Sequence, residues 1–492
     1  MSITDTPANT DGSGSASGHQ TNQLRPNALG TASIMFLVIS AAAPLTAVAG
    51  GVPLAMLLGN GAGVAGAVGI VTLILLLFAV GYVAMSRHVR NAGAFYAFAA
   101  QGLGGHFGGA TAMVAILSYN CMQIGILGLL GAASAGTFGA MGINLPWWVW
   151  SYIFIALTAV LGYRQVDLSA RILVVLVALE YLIVLIINAA ILVAGGDSGT
   201  LSMAPFAPSQ VLSGVPSIAI LFCFAFFIGF ESTTIYSEEA RDPKRSIPLA
   251  TYGSVLAIGV FYMITAWLMA NGAGIDKLVP TLGGLADPTT FLFDLAGRYV
   301  GGPVPTIMGL LFITSLFAAV LAFHNGVARY KYVAGREGLL PDSVGQTHAE
   351  YRSPHVGSVI QTIIAIVVIG LFAWRGLDPV LNLFTWLTQL GTLGVLGMMS
   401  VVSFAVIGFF AKKGSLGESV LATKVLPLVT GVILAALFVV IFAQFGAMTG
   451  AEGWLGIALP SLVVVAAVIG TILAGNLRNR DQIRFRALGQ HR

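Results

Sequence analysis

The sequence predicts an all-α integral membrane protein of twelve transmembrane helices, arranged as five plus five in an inverted repeat, with two extra helices. Three observations lead there. First, 57% of the 492 residues are hydrophobic and only 9% carry charge, with a mean hydropathy of +0.90. A soluble domain carries roughly 25% charged residues, so this chain cannot cover a water-facing surface. Second, apolar runs long enough to cross a bilayer, which takes about 20 residues, recur along the chain. Third, Lys and Arg fall almost wholly on one side of the topology those runs define.

The runs lie near 30–57, 62–85, 107–137, 146–163, 170–195, 211–236, 248–271, 302–332, 356–374, 379–410, 424–446 and 453–475, and are numbered here as spans one to twelve. The run at 288–299 is too short to span and reads as an outer hairpin or amphipathic helix. With the amino terminus inside, 20 of the 23 Lys and Arg residues are cytoplasmic, and only Lys277, Arg298 and Arg375 are outside. That bias sets both termini on the cytoplasmic side of the cell membrane. The net charge of +4 is therefore topological and implies no nucleic acid partner.

Residues 1–28 are Ser/Thr/Asn/Gly-rich and read as a disordered cytoplasmic tail. The first repeat covers 29–195, the second 211–410, the extra helices 423–475, and a basic tail 476–492. Cys121 and Cys223 sit in apolar runs and read as buried small hydrophobes. The chain has neither a phosphate-binding glycine loop nor a His-Glu-x-x-His zinc spacing, and with no catalytic cluster it reads as a non-enzyme.

Two spans contain interruptions. Span one places Pro44 in its middle, within "ISAAAPLTAVAGGVP", followed by Gly50 and Gly51. Span six carries Gly229 and Glu231 within "FFIGFESTTIYSEE". Irregular backbone at membrane depth is tolerated only where it faces protein or a cavity. A pair of interrupted helices in corresponding positions of two halves points to a transporter site. An opened helix offers partial positive charge at its restart and partial negative charge at its end. Ala41, Ala42, Ala43, Pro44 and Leu45 are thus candidates for a substrate carboxylate. Ile228, Gly229, Phe230, Glu231 and Ser232 are candidates for an ammonium. Such a pair of ends suits a zwitterionic amino acid.

At these residues the chain resembles the amino acid–polyamine–organocation superfamily of secondary transporters. The matching stretches are "GFES" at 229–232, "EEARDPKRSIPLAT" at 238–251, "RNAGAFYAF" at 90–98 and "ARYKYVAGREGLLP" at 328–341. The resemblance implies an amino acid permease working by alternating access, with substrate held at the breaks of spans one and six. It also implies a gate at Glu231. Many relatives have a Gly-rich break in span one, where this chain has "AAAP" at 41–44.

Further candidates follow from buried polarity. Glu180 lies nine residues past Arg171, about 13 Å into span five. The resemblance places it near spans one and eight. A carboxyl removed from water can exchange protons near neutral pH, which makes Glu180 the proton-coupling candidate. Thr314 and Ser315 are the alternative, a sodium site. The coupling ion is thus a proton or sodium, with no other cofactor expected. Tyr119, Asn120 and Gln123 form a polar cluster in span three, with Tyr119 and Asn120 substrate-binding candidates. His324 in span eight reads as structural. Among the phenylalanines of span six, Phe230 and then Phe227 are the candidate gate. The charged run Glu238, Glu239, Arg241, Asp242, Lys244 and Arg245 suits salt bridges at an inner gate. The expected cargo is a small neutral amino acid, with polyamines, organocations, and a channel or receptor role as alternatives. Symport and exchange are both compatible with the sequence, and it carries no sign of oligomeric state.

Overall fold

The computed structural model describes residues 30–89, 93–164, 170–238, 240–451 and 453–490. The disordered tail expected at 1–28 lies outside them. Among the described residues every regular element is a helix. Ten helices are long and apolar enough to cross a membrane, and Trp147–Tyr163 is a shorter apolar one. The ten fall short of the expected twelve partly because span one is divided. Its first part, Thr31–Ala41, stands alone. Its second part is counted with span two as Thr46–Ser86, although Gly59 is non-helical there and Gly61 has φ +58°. The short outer run is helical over Phe291–Tyr299, as the amphipathic alternative expected.

Span three, Gly105–Gly139, is the central pillar. Its most apolar window is 89% buried, against 28% for spans nine, eleven and twelve. It packs against spans four, eight, ten and twelve. Lipid tails give helices no hydrophobic reason to associate, so close approach depends on small residues. Gly125 meets span ten in this way: a Cβ there would lie 2.8 Å from the Thr388 methyl and 3.2 Å from the Phe384 carbonyl. The same central burial explains how span three carries Tyr119, Asn120 and Gln123, all under 8% exposed. They face protein rather than lipid.

The breaks fall close to where the sequence puts them. In span one the helix ends at Ala41, and Ala43 takes φ +44°. Helix resumes at Pro44. Proline lacks the N–H and has φ preset for a first helical turn, so it starts the second half rather than kinking a continuous span. Gly50 and Gly51 do not interrupt the helix; they lie in the π-helix Thr46–Gly51. In span six, α-helix Pro216–Ala225 gives way to turns, Gly229 has φ +112°, and a 3₁₀ helix runs Phe230–Glu238.

Lys331, counted above as cytoplasmic, is buried at 4% exposure and donates to Gln361 Oε1 at 2.9 Å. Arg241, Asp242, Lys244 and Arg245 form no ion pair among the described residues. The side chains of Glu238 and Glu239 lie outside that set. Cys121 and Cys223 are free and buried.

The segment after span twelve folds back on the helix bundle. Asp481 caps the short helix Gln482–Arg486, and Leu488 is 2% exposed beside Tyr96, Ala334 and Leu339. The Gly489 N–H donates to both Glu337 Oε2 and Tyr96 Oη at 3.0 Å. Glu337 Oε1 has no partner among the described residues. Burial pushes this carboxyl up to about 7, the Gly489 N–H pulling it back only in part.

An acid whose folded pKa exceeds its unfolded value costs stability once ionised. That cost is absent below the ordinary value near 4.5, grows to about pH 7, and is constant above. Its ceiling is ~3 kcal/mol at about 1.4 kcal/mol per pKa unit. Glu337→Gln keeps an acceptor for Gly489 and removes the charge. We expect it to raise the unfolding temperature at pH 8 and leave it unchanged at pH 4.5. An equal effect at both pH values would contradict this.

Candidate functional site

The two breaks face a shared cavity of about 50 Å³. Span one contributes Ala42, Ala43, Thr46, Ala47 and Gly51; span six contributes Phe222, Ala225, Phe226 and Ile228. The opposite wall comes from Met122 and Ile126 of span three, Ala319 and Phe323 of span eight, and Phe384, Thr388 and Gln389 of span ten. Among the described residues no charged side chain lines it. Of its three polar side chains, Thr46 bonds to Ser315 Oγ at 3.2 Å. Thr388 donates to its own helix at Phe384 O, 2.7 Å away. Gln389, 2% exposed, keeps an Oε1 with no partner.

Each break is held by a buried carboxylate. Glu180 Oε2 accepts from the Leu45 N–H at 3.3 Å and the Ser315 hydroxyl at 2.7 Å. Leu45 stands at the restart of span one, where an open N–H meets no preceding carbonyl. The helix start expected to receive a substrate carboxylate at Leu45 is therefore engaged by the protein's own Glu180. Glu231 does the same at span six. Its Oε1 accepts from Tyr119 Oη at 2.6 Å, and its Oε2 from the Gly229 N–H at 2.9 Å. Its backbone carbonyl accepts from Tyr82 at 2.9 Å and Thr234 at 3.1 Å. Gly229 reaches this geometry because a positive φ costs glycine little.

The structure sorts the sequence candidates into three groups. Ala42, Ala43 and Ile228 line the cavity. Pro44, Leu45, Gly229, Phe230, Glu231, Ser232, Tyr119 and Asn120 do not, and the Ala41 side chain lies outside the described residues. Phe227 and Phe230 line a second, smaller cavity of about 10 Å³, with Ile228 on the wall between the two. Phe230 packs against Phe78 and Tyr82 at ring distances of 6.0 and 6.4 Å. The span six aromatics on the main cavity are Phe222 and Phe226 instead. They are four residues apart and share a helix face, a signal the sequence did carry.

Thr314 donates to its own helix at Leu311 O, 2.9 Å away, so of the proposed sodium pair only Ser315 reaches span one. His324 belongs to a separate polar chain. Its Nε2 lies 2.7 Å from Ser358 Oγ, and its Nδ1 lies 3.3 Å from Gln123 Nε2. Gln361 donates to Gln123 Oε1 and accepts from Lys331. The span ten residues Phe384, Thr388 and Gln389 were missed; an amide in the middle of an apolar run was the available clue.

A family model described as amino acid permease matches residues 29–472. The low-affinity putrescine importer of Escherichia coli is 27% identical over 307 residues, covering 61% of this chain and 65% of that protein. A branched-chain amino acid permease of Bacillus subtilis is 27% identical over 316 residues, covering 63% and 60%. A methylthioribose transporter of Bacillus subtilis is 26% identical, covering 56% and 55%. Each match thus spans less than two thirds of the relative. A solved manganese transporter of Eremococcus coleocola, in mutant form, superposes with a TM-score of 0.56 at 15% identity, covering 95% of this chain and 98% of that one. That likeness is one of fold.

Tyr119→Phe removes the hydroxyl from a buried carboxylate and leaves Glu231 Oε1 short of a donor. A lost hydrogen bond to a charged group costs about 1.5–3 kcal/mol. We expect a lowered unfolding temperature for the detergent-purified variant; an unchanged one would show that this bond does not hold the break.

Proposed function

The chain belongs to the amino acid permease family, and from that premise we propose that it is a secondary transporter of small neutral amino acids. It works by alternating access in the cell membrane, with both termini cytoplasmic and a proton as the coupling ion. The observation that carries the reading is the cavity between the two breaks, walled mainly by apolar side chains and free of charged ones among the described residues. A cargo buried there must bring no unpaired net charge, because an uncompensated charge is costly away from water. A neutral zwitterion meets that condition. Its carboxylate can face the first turn of the restarted span one at Thr46 and Ala47, and its ammonium the end of the first half of span six near Ala225 and Ile228. Its side chain meets Met122, Ile126 and Phe384.

The similarity to a putrescine importer favours a second reading, a diamine cargo. A diamine would place two ammonium groups in a cavity that offers no carboxylate. Glu180 and Glu231 are engaged at the breaks and do not line it. The neutral amino acid is therefore the better fit.

Glu180 is suited to the coupling step. It joins the second half of span one at Leu45 to span eight at Ser315. Gaining a proton would weaken its hold on both donors and free span one to move. Labelled leucine uptake into liposomes containing the purified protein tests the whole reading. Uptake should saturate, rise when the lumen is alkaline, and yield to unlabelled leucine but not putrescine. Glu180→Gln should remove the dependence on the pH gradient while leucine exchange continues. Unsaturable flux, or displacement by putrescine alone, would contradict the transporter and cargo assignments respectively. Pure exchange indifferent to the gradient would contradict the proton.

A further inference from the structure

Gly51 stands on the cavity wall without a side chain, and its backbone does not ask for a glycine. Its φ of −88° and ψ of −43° are helical values open to most residues, and alanine is the better helix former there. What a Cβ would meet is the Phe226 ring. It would overlap Cε1 and stand 3.3 Å from Cδ1 and Cζ, and these are its three nearest atoms. Phe226 lines the same cavity. Its backbone is held in the helix, the N–H bonded to the Phe222 and Cys223 carbonyls at 3.3 and 3.2 Å. The ring packs edge-on against Tyr262, with centroids 5.7 Å apart. Tyr262 is fully buried and donates to the Ala42 carbonyl at 3.2 Å, so that side is filled. The cavity is the space left for the ring to enter.

We propose that Gly51 and Phe226 together set the upper size of the cargo side chain. The bare backbone of Gly51 is a seat that keeps the Phe226 ring back from the cavity, and any side chain at Gly51 would push the ring into it. The proposal rests on the cavity being the cargo site. The seat flanks the side-chain end of the pose above. A Cβ at the preceding residue, Gly50, would lie 3.8 Å from Phe384 Cζ, and Phe384 is the ring the cargo side chain meets. A methyl side chain needs less of that room than an isobutyl one. The pair therefore acts on cargo size and not on the ammonium and carboxylate that all amino acids share.

The test is competition against labelled leucine exchange in liposomes containing the purified full chain, with alanine, leucine and phenylalanine as competitors. In Gly51→Ala, inhibition by leucine should weaken about tenfold more than inhibition by alanine, a size discrimination of the order set by one methylene in an apolar pocket. Adding Phe226→Leu to Gly51→Ala removes the ring and should restore the leucine-to-alanine ratio, which a general loss of fold or of transport would not do. Phe226→Leu alone keeps the test available should Gly51→Ala fail to insert. It should strengthen phenylalanine as a competitor about tenfold relative to leucine. Three results would overturn the proposal: equal losses for leucine and alanine in Gly51→Ala, no recovery in the double variant, or no gain for phenylalanine in Phe226→Leu. Absence of saturable leucine exchange in the unmutated protein is a different failure, which removes the cargo assignment itself.

Discussion

A helix cannot be opened inside a bilayer without giving its freed backbone groups new partners, since no water is there to serve. The centre of this protein is organised around that constraint. Span one is open at Ala42–Ala43 and span six at Gly229, and each break has a buried carboxylate bound to a backbone N–H beside it. Glu180 holds Leu45, and Glu231 holds Gly229. Each carboxylate also takes a hydroxyl from a long, packed helix, Ser315 in span eight and Tyr119 in span three. The interrupted helices are thus pinned to the pillars around them by two comparable devices. Among the described residues no charged side chain lines the cavity between them, both carboxylates being engaged at the breaks.

This arrangement changes what the acidic residues are for. Glu231 lies at membrane depth and suggests a direct bond to a cationic cargo. Its oxygens instead each accept a hydrogen bond within the protein, from Tyr119 and Gly229, and it does not line the cavity. With both carboxylates engaged at the breaks, the proposed cargo would meet the apolar side chains and the three uncharged polar ones of the cavity wall.

Much of this was legible in the chain. The apolar runs set the helices, and Pro44 and Gly229 located the breaks to within a few residues. The depth of Glu180, nine residues past Arg171, marked it as enclosed. Other features were not legible, for physical reasons. Alanine is not a residue that announces a positive φ, so the open point at Ala43 was assigned to the proline after it. The phenylalanines of span six alternate between two cavities according to helix face, and the density of aromatic residues there hid which face mattered. Lys331 was counted among the cytoplasmic charges from its position near a helix end, which says nothing of its burial. Its pairing with Gln361 of span nine is a tertiary fact. Gln389 left a clue, an amide inside an apolar run, but its place on the cavity wall is likewise a tertiary fact.

The central claim is that Glu180, and not the cargo, occupies the open N–H at the restart of span one. An experimental structure determined with leucine bound at neutral pH tests it most directly. The account predicts leucine between Ala42–Ala43, Ile228 and Gln389, with Glu180 still within hydrogen-bond distance of Leu45 and Ser315. A structure in which the leucine carboxylate bonds to the Leu45 N–H, with Glu180 turned away, would contradict it.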